Sequence, residues 1–151
     1  MRILVSAEAF DEHAELEAFA RKRTDGAGAL ASFVGYCRAQ SAQGRIEHLH
    51  LDHYPGFTEA EIARLATATA QRHTLIDLLV IHRVGAVTAG DPIVLVAALA
   101  AHRAGAFAAV SELMDYLKTD APFWKREVGE GQSRWIEPTD ADRARRKRLG
   151  D

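Results

Sequence analysis

Arg38, His102, Arg103, Lys118 and Lys125 are the side chains of this sequence whose types and spacing best suit chemistry on an anionic substrate. His102-Arg103 follows a run of apolar residues and opens an amphipathic stretch. A strand-to-helix change there puts an imidazole and a guanidinium beside the free N–H groups of a helix start, which is an anion site. The plainer reading is a surface ion pair for Arg103 and a turn cap for His102. Lys118 closes the same stretch, where a cation also relieves the negative end of a helix dipole. Phe123-Trp124-Lys125-Arg126-Glu127 follows closely. Aromatic residues beside lysines can wall off a pocket in which an ammonium loses hydration and its pKa falls. In Gly35-Tyr36-Cys37-Arg38 the glycine permits a close backbone approach, and the arginine can fork onto phosphate.

Two other groups invite attention. Cys37 is the only cysteine, so no internal disulfide forms. A neighbouring guanidinium could activate its thiol, although a lone cysteine in a strand is more often a small buried apolar residue. His48, His50 and His53 fall in one short segment. No cysteine or carboxylate of fitting spacing completes a ligand set apart from Asp52, so an exposed polar strand face is the better reading. No Gly-rich phosphate loop of the Walker or Rossmann type is present, and neither a metal nor a resident cofactor is expected.

The elements that must position these residues follow from hydrophobic periodicity. Arg2 to Ser6 reads as a strand, Asp11 to Arg23 as a helix, and Ala27 to Arg38 as a strand, with a loop at residues 41–44. Ile46 to His53 alternates and is expected to pair with the preceding strand as a hairpin. Thr58 and Glu61 have capping-box spacing for a helix reaching about His73. Leu75 to Val84 and Ile93 to Ala101 read as buried central strands joined through Gly85 to Pro92. Apolar residues at three- and four-residue steps make Arg103 to Lys118 a helix stopped before Pro122. Phe123 to Val128 and Arg134 to Ile136 read as two last strands. The polar tail after Pro138, with five basic residues between Arg143 and Arg148, reads as a frayed helix or a disordered end.

Interspersed strands and helices predict an α/β or α+β fold with a mixed sheet and flanking helices, and 151 residues fit one domain spanning the chain. Nineteen basic against 21 acidic residues, a net charge of -2, give no global case for nucleic acid or an anionic membrane. The longest apolar run, Ile93 to Ala101, is far shorter than the roughly 20 residues a membrane-spanning helix needs. The first residues lack a signal-peptide core, so a cytoplasmic address is expected.

Taken in order, Gly35 to Arg38, His53-Tyr54-Pro55-Gly56, Ile81-His82-Arg83-Val84-Gly85, Gly90-Asp91, His102-Arg103, Met114 to Lys118 and Ala121 to Glu127 resemble one family, the large catalytic subunit of molybdopterin synthase. The resemblance runs from about Gly26 to Trp135. It implies an α/β-hammerhead-type fold and a sulfurtransferase that converts cyclic pyranopterin monophosphate to molybdopterin. Two sulfurs would arrive as a thiocarboxylate on the C-terminal Gly-Gly of a small ubiquitin-like subunit. It further implies a heterotetramer around a central homodimer of large subunits.

Carried over by position, the resemblance makes Lys118 and Lys125 catalytic, with Lys118 the principal acid/base and Lys125 orienting substrate or thiocarboxylate. Phe33, Tyr36, Cys37, Arg38, His102, Arg103, Arg126 and Glu127 become the substrate-binding set. The family usually has a small apolar residue where Cys37 stands, which weakens any role for the thiol. Arg103 and Lys118 are fifteen residues apart on one helix, roughly 22 Å at about 1.5 Å per residue. A site using both would therefore draw His102 and Arg103 from the dimer mate. Two other classes fit the same residues less fully. One is a non-catalytic module docking a ubiquitin-like tail or a phosphorylated metabolite; the other is an RNA-binding domain using the basic tail and exposed aromatics.

Overall fold

A computed structural model describes residues 1–42 and 44–150. Strand β1 is Arg2–Ser6, helix α1 Glu12–Ala20, β2 Ala29–Tyr36, β3 Gln40–Ser41, β4 Gly44–Arg45 and β5 His48–His53. Helix α2 is Phe57–Arg72, followed by β6 Asp77–Arg83, β7 Gly85–Thr88 and β8 Pro92–Ala100. Helix α3 is Arg103–Thr119, then β9 Phe123–Gly129, β10 Gln132–Ile136 and α4 Asp140–Arg148. Two four-stranded sheets result, ordered β1-β6-β8-β2 and β10-β9-β5-β7, together with a β3-β4 ribbon. Among the described residues only β1 and β6 run parallel and the other pairs are antiparallel, so this is the expected mixed α/β fold.

The centre of the first sheet is built from uninterrupted apolar strands, as strands covered on both faces require. Along β8, Val94, Val96, Ala98 and Ala100 join the core under α2 and α3. Leu95, Ala97 and Leu99 join a second core with Phe19 of α1. Asp11 caps α1, its Oδ1 accepting from the N–H groups of His13 and Ala14 at 2.9 and 3.0 Å. Between α2 and α3, buried Glu112 accepts from Thr69 Oγ1 at 2.8 Å and Arg72 Nη1 at 2.6 Å, and lies 2.8 Å from His73 Nε2. Burial pushes the Glu112 carboxyl up, but those hydrogen bonds more than offset it and hold its pKa below the ordinary value.

Several sequence expectations are corrected. β5 does not pair with the strand before it: β2 pairs with β8, and β5 lies between β7 and β9. The connection Gly85 to Pro92 is not merely a turn, because it contains β7, which completes the second sheet. Thr58 does not cap α2. Gly56, at φ 82°, lets the chain turn sharply two residues earlier, and its N–H donates to Glu59 Oε2 at 2.6 Å. Thr58 is instead buried; its Oγ1 accepts from Tyr54 N and donates to the Pro122 carbonyl, tying α2 to the approach to β9. The loop expected at 41–44 closes the β3-β4 ribbon, with residue 43 outside the described residues.

Among the described residues the polar tail forms a capped helix, α4, rather than a frayed or disordered end. Thr139 Oγ1 accepts from Asp142 N at 3.2 Å, and Asp142 Oδ2 accepts from Thr139 N at 3.1 Å, a reciprocal cap that starts α4. Arg146 then donates to Asp120 Oδ2 at 2.8 Å and stands 4.9 Å over the Tyr116 ring, docking α4 against α3.

Candidate active site

A cleft of about 320 Å³ opens where edge strand β2 meets α3. Phe33, Phe107, Val110 and Met114 supply its apolar wall; Ser111, Asp115, Lys118 and Arg145 supply its polar end. Phe33 and Phe107 are exposed, at 41% and 67%, which leaves two rings free to take a planar ligand. The aromatic wall therefore comes from β2 and α3, not from Phe123-Trp124 as the sequence suggested. Strand alternation sends Trp124 away from Lys125 to meet the Tyr54 ring edge-on at 4.7 Å, while Phe123 stacks on His82 at 4.0 Å.

Lys118, in the last turn of α3, reaches the cleft and pairs with Asp142 Oδ1 at 3.3 Å. Lys125 stands opposite Leu51 of β5, a position facing the core. Burial, with the Lys118 charge adding to it, pulls the Lys125 ammonium below its ordinary pKa; Asp142 opposes the shift. His82 lies under the same corner. Its Nδ1 is 2.8 Å from the Arg83 carbonyl, which can only accept, so Nδ1 carries the proton. Burial, then the charge of Lys125, press His82 down to about 3, so it is neutral at ordinary pH. Asp115, buried one turn before Lys118, is pushed up by burial with Asp142 adding to it, against the pull of Arg145 and Lys118. The corner holds an amine whose pKa is pulled down by burial, a paired ammonium and a buried carboxyl, the inventory of a proton-transfer site.

The remaining candidates are distributed unevenly. Phe33 lines the cleft, and Arg38 is exposed just beyond β2. Tyr36 is drawn to α1, its hydroxyl donating to Glu12 Oε1 at 2.8 Å. Cys37 turns its thiol into the second sheet's core at 3% exposure, and burial raises its pKa, so it is no nucleophile. Its backbone instead clamps the Gly90-Asp91 turn through two hydrogen bonds of 2.9 and 2.7 Å. Gly35 is needed because a Cβ there would lie 2.9 Å from Val94 Cγ1; the close approach is to the core. Glu127 pairs with Arg134 at 3.0 Å, and Arg126 lies 5.6 Å over Trp135 on the opposite face; neither lines the cleft, and Lys125 lies buried behind its Lys118 end rather than in its wall. His102 and Arg103 are exposed at the far end of α3 and do not line the cleft.

Sequence reasoning missed Asp142, Arg145 and Asp115. Thr139 and Asp142 do have capping-box spacing, the one signal that α4 is ordered. Among the described residues no group of histidine, cysteine and acidic residues could hold a metal, and no helix is long and apolar enough to cross a membrane.

The MoaE protein family model matches residues 5–120, the span that carries β2, α3 and Lys118. The chain belongs to the molybdopterin synthase catalytic-subunit family. The Cereibacter sphaeroides molybdopterin synthase catalytic subunit is 50% identical over 144 residues, covering 95% of this chain and 97% of that protein. Its Caulobacter vibrioides counterpart is 45% identical over 95% and 93%. The solved molybdopterin biosynthesis MoaE protein of Burkholderia ambifaria superimposes with a TM-score of 0.81 at 38% identity, covering 100% of this chain and 99% of that one. Family membership and fold thus rest on agreement over nearly the whole length, including β9, β10 and α4 beyond the family-model match.

Proposed function

We propose that this chain is the catalytic subunit of molybdopterin synthase, a sulfurtransferase that converts cyclic pyranopterin monophosphate to molybdopterin. The sulfur donor is a small ubiquitin-like subunit with a thiocarboxylated C-terminal Gly-Gly. The observation that carries the reading is Lys118 at the polar end of an aromatic-walled cleft, with the buried Lys125 near enough to feel its charge, in a chain 50% identical to a molybdopterin synthase catalytic subunit. The exposed rings of Phe33 and Phe107 suit a flat pterin. Lys118 and Lys125 supply the proton transfers that ring opening and two sulfur additions require, and orient the incoming thiocarboxylate. Arg38, His102 and Arg103 hold the phosphate, forked guanidinium donors being the best match for it. Tyr36 and Cys37 contribute through the backbone course at the end of β2 and just beyond it, and Arg126 and Glu127 by holding β9 in register. The chain acts in the cytoplasm as a single domain, in a heterotetramer built on a central homodimer.

The length of α3 separates Arg103 from Lys118 by roughly 22 Å, at about 1.5 Å per residue. Each active site therefore takes Lys118 and Lys125 from one chain and His102 and Arg103 from the other. Arg103→Ala and Lys118→Ala proteins, each inactive alone, are expected to regain about a quarter of wild-type molybdopterin formation after mixing and exchange. Half the dimers are then mixed, and each mixed dimer holds one intact site. No recovery in verified mixed dimers would make the site private to one chain. No product from wild-type protein with thiocarboxylated partner would overturn the activity itself.

A further inference from the structure

We propose that Asp142 is a positioning residue for the two lysines: its buried carboxylate anchors the Lys118 ammonium at the cleft and leaves Lys125 as the amine that exchanges a proton with substrate. This rests on the proposed activity and reverses the emphasis that the family resemblance places on Lys118. Asp142 is 8% exposed and divides its oxygens between two tasks. Oδ2 accepts from Thr139 N at 3.1 Å and from Thr139 Oγ1 at 2.7 Å, which closes the cap of α4. Oδ1 faces Lys118 Nζ at 3.3 Å. A capping residue needs only the first of these, and a surface capping residue need not be buried.

The scaffold holds Asp142 in place before substrate arrives. Arg146 bonds Asp120 and covers the Tyr116 ring, so α4 is fixed to α3 at a second point, close to Lys118 in sequence. The charged and titratable groups around the pair are Asp115 on α3, Asp142 and Arg145 on α4, and His82 on β6, the last neutral. Of these, Asp142 alone pairs with one lysine and bears on the other. Lys118, half-exposed and ion-paired, is suited to hold a negative group by charge. Lys125, enclosed and without an anionic partner at bonding distance, can lose and regain a proton at less cost.

Asp142→Asn tests this, since an amide oxygen can still cap Thr139 while the charge is gone. Asp142→Gln, a favoured capping-box partner, serves if the Asn variant does not fold. Thr139→Ala is the control that weakens the cap and keeps the charge. The Lys125 titration is followed by NMR of 13C-labelled lysine Cε in the free homodimer, and the pH profile of kcat/KM by molybdopterin formation with thiocarboxylated partner. Removing the negative charge should move the Lys125 midpoint, and the acid limb of the profile with it, about one pH unit toward acid. Thr139→Ala should move neither. A Lys125 midpoint unchanged in the charge-removed variant, or moved equally by Thr139→Ala, would reduce Asp142 to a helix cap. A midpoint that moves without the acid limb would remove Lys125 as the exchanging amine. The NMR arm needs no turnover, so inactive wild-type protein would sink the proposed activity and leave the Asp142–lysine geometry separately decided.

Discussion

In the sheet β1-β6-β8-β2 the central strands are dry on both faces, whereas in β10-β9-β5-β7 one face enters the core and the other meets solvent. Val80, Val96 and Ala98 pack toward α2 and α3, and Ile81, Leu95 and Leu99 toward α1, all at 2% exposure or less. The second sheet buries Leu49, Leu51 and Val87 and leaves Trp124 and Trp135 at 41% and 58%. Its β9 breaks the rule of its own inner face, where Lys125 stands opposite Leu51. A side chain that costs stability where an apolar one would add it is the signature of a functional position. The first sheet therefore sets stability and aims α3, and the second spends stability to place an amine.

Lys125→Ala sharpens that contrast most. Removing a proton-transfer group should cut molybdopterin formation by about a thousandfold. Removing a poorly solvated ammonium should leave the thermal midpoint unchanged or higher. A midpoint drop comparable to that of a core truncation would show that Lys125 is structural and break the contrast. The converse change is Leu95→Ala in β8, fully buried among Leu79, Ile81 and Phe19. It should cost about 2–5 kcal/mol in urea unfolding, from lost transfer energy and the cavity left behind. Turnover per folded molecule should be unchanged.

The same division explains what could be read in advance. α3 was legible because its apolar positions recur at three and four residues, and β6 and β8 because continuous apolar runs need cover on both faces. β7 was not, since Gly85-Ala86-Val87-Thr88 carries no pattern beyond one buried valine. The partner of β5 is not legible in the sequence, because strand pairing is a tertiary choice and β2 finds a longer partner in β8. Lys118 and Lys125 were found as residues. Their unequal environments were not, because burial by Leu51 and pairing with Asp142 come from segments far apart in the chain. The basic run Arg143 to Arg148 obscured the Thr139 and Asp142 signal that α4 is ordered and docked.

The smallest effect probes the contact between the two sheets, where His82 of β6 stacks on Phe123 of β9. The unfolded chain binds a proton at His82 near the ordinary 6.5, and the folded protein holds the site neutral down to about 3. A histidine with a depressed folded pKa contributes its stability fully above the unfolded value, and that contribution is lost as pH falls below it. Urea stability should therefore decline from about pH 6.5 downward by at most about 1.4 kcal/mol per pH unit. The Glu112 carboxyl does not confuse the result between pH 6.5 and 5, because it titrates below its ordinary 4.5. His82→Gln should lower stability at pH 7 by about 1 kcal/mol through the lost bond to the Arg83 carbonyl, yet flatten the slope in that window. An equal slope in variant and wild type would assign the acid loss to other groups. Because the Lys125 charge is the second cause of the His82 shift, Lys125→Ala should let folded His82 take up its proton sooner and so end the decline at a higher pH. That would tie the amine which the second sheet carries to the stability which the first sheet supplies.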